Sequence, residues 1–492
     1  MKNNVQLITY VDRLTGSGIQ TLSNVLNDQL TGLFSGVHLL PFYYPIDGSD
    51  AGFDPIDHTT VDSRLGDWQD IKDLGKAHEL MADLIVNHMS AQSKEFKDVL
   101  SKGKSSVYWD LFLTKDKVFP NGLTAAQKEK IYRPRPGSCF TTFSLPNNEK
   151  AEFWTTFTGN QIDIDVTSDI GQEYLLRILK TFAENNIKTI RLDAAGYAIK
   201  RAGTSCFMLE ETFEFIDELT KVANKLDIET LVEIHSYYQT QIEIAKRVDH
   251  VYDFALPPLI LHSIFSQDFT ALVKWLTISP RNCITVLDTH DGIGIIDVGP
   301  MNDKLGLLAD EEIDNLVETI HVNSAGESKK ATGAAASNVD LYQVNCTYYD
   351  ALGQNDFDYL LARAIQFFSP GIPQVYYAGL LAEKNDMVLL SKTNVGRDIN
   401  RPFIEHENIE QALNKPFTKA MIQLIKLRNN CIAFNGGFSV SSELSMLKIM
   451  WKTNEQRATL MIDLVNRKAN IEITENNNTR IVNLESLLNE DQ

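Results

Sequence analysis

The chain has 492 residues, 43% of them hydrophobic and 23% charged, proportions of a soluble globular protein long enough for one large domain with smaller ones attached. Lys and Arg total 46 against 65 Asp and Glu, a formal net charge of −19, which disfavours a general nucleic-acid or anionic-membrane surface. Any anionic ligand therefore needs a local cationic pocket.

The opening stretch "MKNNVQLITYVDRL" offers no apolar core of signal-peptide length, and no run approaches the roughly 18 apolar residues of a membrane span, so a cytoplasmic protein is expected. Onward along the chain, β-rich runs recur: "VQLITYV" from Val5, "GVHLLPF" from Gly36, "MADLIVNH" from Met81 and "KTIRLDA" from Lys188. They continue with "TLVEIH" from Thr230, "HVYDFAL" from His250, "CITVLDTHD" from Cys283 and "GIPQVYY" from Gly371. Segments with apolar residues at helical spacing separate several of them, such as "QEYLLRILKTFAEN" before the fourth run and "EFIDELTKVANKL" before the fifth. About eight strands in a β-then-α rhythm predict an α/β fold, a (β/α)₈ TIM barrel.

Two gaps break the rhythm: about a hundred residues after the third run and about eighty after the seventh, far beyond a normal βα unit. They predict two inserted subdomains on a barrel laid out as 1–88, 168–291 and 353–433, with insertions at 89–167 and 292–352. Both insertions follow strand C-termini, where a barrel builds its active site. From 434 to 492 the runs "SMLKIMW", "ATLMIDLV" and "ANIEITE" with Asn-rich turns predict a small C-terminal antiparallel β domain. Five scattered cysteines, Cys139, Cys206, Cys283, Cys346 and Cys431, form no C-x-x-C pair, which argues for packing roles over a zinc ribbon or a disulfide framework.

On this map Asn87 and His88 end the third strand, Asp193 the fourth, Glu233 the fifth, and His290 with Asp291 the seventh. Alone, each carboxylate would read as a helix N-cap or a solvated loop residue, and each histidine as a hydrogen-bonded scaffold residue. As a set on one rim, three carboxylates would repel unless the site uses their charge or protonates one. Glycoside cleavage has that requirement: one carboxylate attacks while another, protonated, gives its proton to the leaving oxygen. Arg191, two residues before Asp193 on the same strand face, is expected to hold that aspartate ionised as the nucleophile. Glu233, after the apolar "LVEI", is expected to have a raised pKa and act as the acid, with Asp291 an anion supporting an oxocarbenium-like transition state.

These residues resemble glycoside hydrolase family 13, the α-amylase family: "DLIVNH" from Asp83, "RLDA" from Arg191, the glutamate of "LVEIH" and "LDTHD" ending at Asp291 match its four motifs in order. The resemblance implies Asp193 as nucleophile, Glu233 as general acid/base and Asp291 as transition-state stabiliser, with His88, Arg191 and His290 in the sugar subsite. Within that family the chain is similar to the bacterial sucrose phosphorylases of the bifidobacterial type. This likeness rests on "VQLITYVDRL", "DAGFDPIDHT", "YRPRPG", "AGTSCFM", "IHSYY", "VYDFALPPL", "LDTHDGIG", "ATGAAASN", "DLYQVN" and "GRDIN". It implies Asp50 and Arg397 on the distal hydroxyls of a glucosyl ring, Phe53 packed against the ring and Gln161 closing the subsite.

The implied reaction joins sucrose and inorganic phosphate to give α-D-glucose 1-phosphate and D-fructose with retention. Such an enzyme must choose phosphate over water at about 55 M, so the acceptor site needs a cationic clamp with poor water access. Arg135 in the proline-fixed "YRPRPG" is expected to supply it, with Tyr342 and His235 beside it. Asp340 and Gln343 are candidate fructose contacts, "ATGAAAS" a hinge between two mobile loops, and Phe207 an apolar acceptor wall or simple core. Phosphorolysis of sucrose 6′-phosphate or of a glucosyl-glycerol type substrate, or plain hydrolysis, is the alternative on the same scaffold. A homodimer is implied by the relatives, and neither a metal nor a cofactor is called for.

Overall fold

Parallel strands packed on both faces read as continuous apolar runs, and closing them into a barrel leaves no unpaired edge. The computed structural model describes residues 1–492 except 49, 135–136, 302, 333–342, 477 and 490–492. In it each of the eight runs forms one strand of a closed barrel: β1 Gln6–Thr9, β2 Gly36–Leu39, β3 Glu79–Ile85, β4 Ile187–Asp193, β5 Glu229–Val232, β6 His250–Asp253, β7 Cys283–Thr285 and β8 Ile372–Tyr376. Each strand pairs in parallel with its neighbours in sequence, and β8 closes on β1 with Gln6 opposite Gln374.

The helix Asp169–Glu184, which precedes β4, shows why the outer layer forms. Ser168 caps it by accepting from the Gly171 N–H, and Tyr174, Leu175, Ile178, Leu179 and Phe182 make one buried face. Gly171 allows the close approach of the turn, because a Cβ there would lie 2.0 Å from the Asp165 carbonyl oxygen.

The barrel interior carries polar side chains as well as apolar ones. Gln374 Nε2 donates to Gln6 Oε1 at 2.9 Å, and the Tyr252 hydroxyl donates to Gln374 Oε1 at 3.4 Å. Register sets Arg191 on β4 opposite Asp83 on β3 and Leu231 on β5, so a charged residue of one strand meets the charge of the next inside the barrel.

Between β3 and β4, the strand His88–Ser90 pairs antiparallel with Gln161–Asp163, placing His88 opposite Asp163 and Ser90 opposite Gln161. A hairpin of Phe140–Ser144 and Lys150–Trp154 lies between them in sequence. Between β7 and β8, Ile293–Gly294 pairs with Gln343–Val344, and the helices Asp310–Asn323 and Glu327–Thr332 intervene.

The C-terminal sheet has five antiparallel strands in sequential order: β9 Gly437–Glu443, β10 Met446–Lys452, β11 Gln456–Asp463, β12 Lys468–Glu475 and β13 Asn478–Asn483. In β10, Leu447, Ile449 and Trp451 alternate inward, and Trp451 Nε1 donates to the Phe368 carbonyl at 2.7 Å, tying the sheet to the helix Asp356–Phe368. The three runs expected here are β10, β11 and β12; β9 and β13 extend the sheet on either side. Among the described residues, no helix is long and apolar enough to cross a membrane.

Candidate active site

Arg191 organises the rim. Its side chain is 2% exposed, and Nη1 meets Asp83 Oδ1 at 2.5 Å and Asp193 Oδ1 at 3.0 Å while Nη2 lies 3.4 Å from Glu233 Oε1. One guanidinium from mid-strand β4 thus reaches the carboxylates that end β4 and follow β5. Asp83, fully buried behind it, also meets His38 Nε2 at 3.0 Å, and its backbone carbonyl accepts from the Tyr43 hydroxyl at 2.7 Å. Burial would raise the Asp83 pKa, but His38 and Arg191 overcome it and hold the carboxyl at about 2.

At Asp193 the expected pull of Arg191 toward the ionised form is present but opposed. Burial comes first and pushes its carboxyl well above the usual carboxylate range; Arg191 opposes, and the charges of Glu233, Asp83 and Asp291 add to the rise. Arg191 thus offsets only part of what burial and the neighbouring carboxylates do to Asp193. Asp291 behaves oppositely. Burial raises its pKa, but Arg397, His290, Arg191 and Arg401 together outweigh burial and keep it well below the usual range. Arg397 Nη1 is 2.7 Å from Asp291 Oδ1, and Arg401 Nη2 is 3.7 Å away. A carboxylate oxygen each of Glu233 and Asp291 and a ring nitrogen of His235 lie within 4.8 Å of one another.

The expected sugar-site residues converge on this rim. Phe53 stacks on His290 with ring centroids 4.8 Å apart and planes 11° from parallel, and the Arg191 guanidinium sits 5.6 Å from the Phe53 centroid. His88 Nε2 contacts Gln161 Nε2 and the Phe53 carbonyl, both at 3.0 Å, and burial lowers its pKa. Burial likewise drives His290 well below the ordinary imidazole value, so it presents a neutral ring. Asp50 lies 3.9 Å from Arg401 Nη1, while Arg397 pairs with Asp291 and donates to Gln343 Oε1 at 3.3 Å.

On the opposite side, His235 Nδ1 meets Asp297 Oδ2 at 2.8 Å, its ring stacks on Phe254 at 3.8 Å, and its Nε2 meets Gln343 Nε2 at 3.1 Å. Phe207 is half-buried, stacks on Tyr132 at 4.4 Å and meets the Tyr197 ring at 4.7 Å with the planes tilted by 39°. That row continues through Phe157 to His88, so Phe207 belongs to a continuous aromatic wall. Arg135, Asp340 and Tyr342 lie outside the described residues, as does the "ATGAAAS" hinge from Gly333 onward; its first two residues, Ala331 and Thr332, end the helix Glu327–Thr332.

Residues 30–255 match the family model described as alpha amylase, catalytic domain. A sucrose phosphorylase of Agrobacterium vitis is 59% identical over 473 residues, 96% of this chain and 97% of that one. The chain belongs to the α-amylase family. Another relative, a sucrose phosphorylase of Bifidobacterium adolescentis, is 52% identical over 469 residues, 94% of this chain and 92% of its own. The solved sucrose 6F-phosphate phosphorylase of Thermoanaerobacter thermosaccharolyticum superposes with a TM-score of 0.90 at 37% identity, covering 98% of each chain.

Four residues of this α-amylase-family site escaped the sequence reading. Arg401 is 0% exposed, donates from Nε to the His290 carbonyl at 2.7 Å and adds its charge beside Asp291. Asp297 and Asp83 are also 0% exposed, and each orients a functional cation or histidine from behind. Lys200, buried at the first insertion, meets Asp163 Oδ2 at 2.8 Å and donates to Asn87 Oδ1 at 2.9 Å, beside His88. The available signals were position alone: Asp83 opens a motif, Arg401 follows "GRDIN", and Asp297 lies six residues after Asp291.

Proposed function

We propose that the protein is a sucrose phosphorylase that moves the glucosyl group of sucrose to inorganic phosphate, giving α-D-glucose 1-phosphate and D-fructose with retention. The observation that carries this reading is the Asp193–Glu233 pair bridged by Arg191, with Asp291 held ionised across the rim by Arg397. The full-length likeness to two sucrose phosphorylases supports the choice of donor and acceptor.

In the first step Glu233 acts as the acid and passes its proton to the glycosidic oxygen as Asp193 attacks the anomeric carbon. Positive charge builds on the ring, and the Asp291 anion stabilises it. Fructose leaves, and the glucosyl group remains as a β-linked ester on Asp193. Phosphate then attacks the anomeric carbon from the vacated side, Glu233 takes up a proton, Asp193 departs as carboxylate, and the second inversion restores the α configuration.

Asp50, Phe53, His88, Gln161, Arg191, His290 and Arg397 form the proposed glucosyl subsite. His235, Gln343 and Phe207 form the acceptor side, together with Arg135, Asp340 and Tyr342. The cytoplasm is the proposed compartment, in keeping with five buried free cysteines, and a homodimer the proposed assembly.

The test is a product balance on purified protein with sucrose, with and without inorganic phosphate, beside an Asp193→Asn control. Glucose 1-phosphate equal to fructose, dependent on phosphate and lost in the control, is the expected result. Equal glucose and fructose whatever the phosphate would make the protein a hydrolase, and turnover of sucrose 6′-phosphate alone would move the donor to the phosphorylated sugar.

A further inference from the structure

Among the described residues, His235 sits in a hydrogen-bonded line whose donors and acceptors pair without conflict when its ring is neutral. At one end Asp297, 0% exposed, accepts from His235 Nδ1 at 2.8 Å, the Ser236 N–H at 3.1 Å and Gln241 Nε2 at 2.9 Å. A carboxylate only accepts, so the His235 Nδ1 carries its hydrogen. At the other end Arg397 only donates, so the Gln343 oxygen faces it at 3.3 Å and the Gln343 amide N–H₂ faces His235 Nε2 at 3.1 Å. The line closes without conflict when Nε2 is a bare lone pair, that is, with His235 neutral. A proton on Nε2 sets two donors against each other, and Gln343 cannot turn its amide over without presenting N–H₂ to the guanidinium.

The backbone fixes this line in place. Gln343 is paired with Gly294 in the short antiparallel ladder between β7 and β8. A Cβ on Gly294 would lie 2.4 Å from Asp297 Oδ2 and 3.0 Å from His235 Nδ1, so bare backbone packs directly on the dyad. Among the described residues, the charged groups around the imidazole are Asp297 on Nδ1, Glu233 at 4.0 Å from Nε2 and Asp291, with Arg397 beyond Gln343 and Arg191 on Glu233. Phe254 covers a ring face. Burial lowers the His235 pKa, yet the neighbouring carboxylates, Asp297 foremost, leave it raised above the ordinary imidazole value. Those carboxylates favour the charged ring, while the Gln343 N–H₂ on Nε2 favours the neutral one.

We propose that Asp297, His235 and Gln343 form a proton-controlled latch that selects a phosphate dianion as acceptor. With His235 neutral, Gln343 ties the imidazole to Arg397 and Asp291. With Nε2 protonated the tie breaks, and the imidazolium turns its N–H to the acceptor as a charge-assisted donor. Asp297 is the positioning residue: it never meets the acceptor but fixes the tautomer and favours the charge. The acceptor assignment rests on the proposed phosphorylase reading; the latch itself does not.

The test is ¹⁵N NMR of the full-length protein labelled in histidine, with the His235 signals assigned through a His235→Gln variant. Phosphate should raise the His235 pKa by about one unit, equivalent to roughly tenfold tighter phosphate binding by the charged form. Without phosphate, Asp297→Asn should lower that pKa and Gln343→Met, which removes the opposing donor, should raise it. Asp297→Asn should also cut the ratio of glucosyl delivered to phosphate over water by about tenfold near pH 7. Variant shifts in the same direction, or none, overturn the latch, and should Asp297→Asn not fold, Gln343→Met and the wild-type titration decide it. Opposite shifts in a protein whose His235 ignores phosphate keep the latch, overturn its acceptor role and point back to a failure of the phosphorylase reading.

Discussion

Replacing Asp83 by Asn removes a charge that never meets solvent or substrate yet supports the whole rim. The Asp83 side chain is 0% exposed and pairs with Arg191 at 2.5 Å and His38 at 3.0 Å. Its carboxyl is held at about 2, against about 3.9 in an unfolded chain, so the folded state favours the ionised form by nearly two pH units, about 2.5 kcal/mol. Because the folded pKa is depressed, this stability is fully present above the unfolded pKa and is lost as pH falls through 4 toward 2. Arg191 keeps Asp193 and Glu233 as partners, which places the total near the low end of the roughly 3–5 kcal/mol for breaking a buried pair. Urea unfolding of Asp83→Asn beside the wild type should therefore show a loss of about 3 kcal/mol at pH 7, with the charge-linked part about halved at pH 3. A loss under about 1 kcal/mol at pH 7, or one that does not change with pH, would refute the reasoning.

Glu233→Gln should abolish turnover of sucrose, whose leaving oxygen needs a proton, while retaining fructose-independent attack on α-glucosyl fluoride, whose leaving group needs none; stopped-time fluoride release checks this. Arg397→Ala removes the ion pair at 2.7 Å that helps hold Asp291 ionised, so the Asp291 pKa should climb and the acid limb of the kcat profile should move to higher pH. An unmoved limb would separate Asp291 from the transition state. Lys200→Met leaves Asp163 buried without its cation, with Thr156 still donating to it, and should lower stability by roughly 3 kcal/mol, read from denaturant midpoints.

The barrel was legible because its eight strands carry unbroken apolar runs that end in polar residues, and β4 shows why the site was legible too. Arg191 and Asp193 at the end of "KTIRL" have no reason to be in a buried strand other than chemistry. The strand β9 was not legible: "GFSVSSE" buries little on either face and lacks the apolar alternation of β10. Arg401, Asp297 and Asp83 were missed because a single charged residue in a sequence looks solvated, and the partners that make burial tolerable come from far along the chain. The upward push on the Asp193 carboxyl was hidden for a related reason. Sequence supplied the neighbouring Arg191 but neither the depth of burial nor the approach of Asp83 and Glu233 from adjacent strands.

The central claim is that a glucosyl group rests on Asp193 between donor and acceptor. Glu233→Gln charged with α-glucosyl fluoride, quenched and digested, tests it most directly, because attack proceeds while the base that helps the acceptor leave with the sugar is gone. Mass spectrometry should find one added glucosyl group on the peptide that contains Asp193, absent when Asp193→Asn is added. No adduct, or an adduct on the peptides of Asp291 or residue 233, would contradict the account.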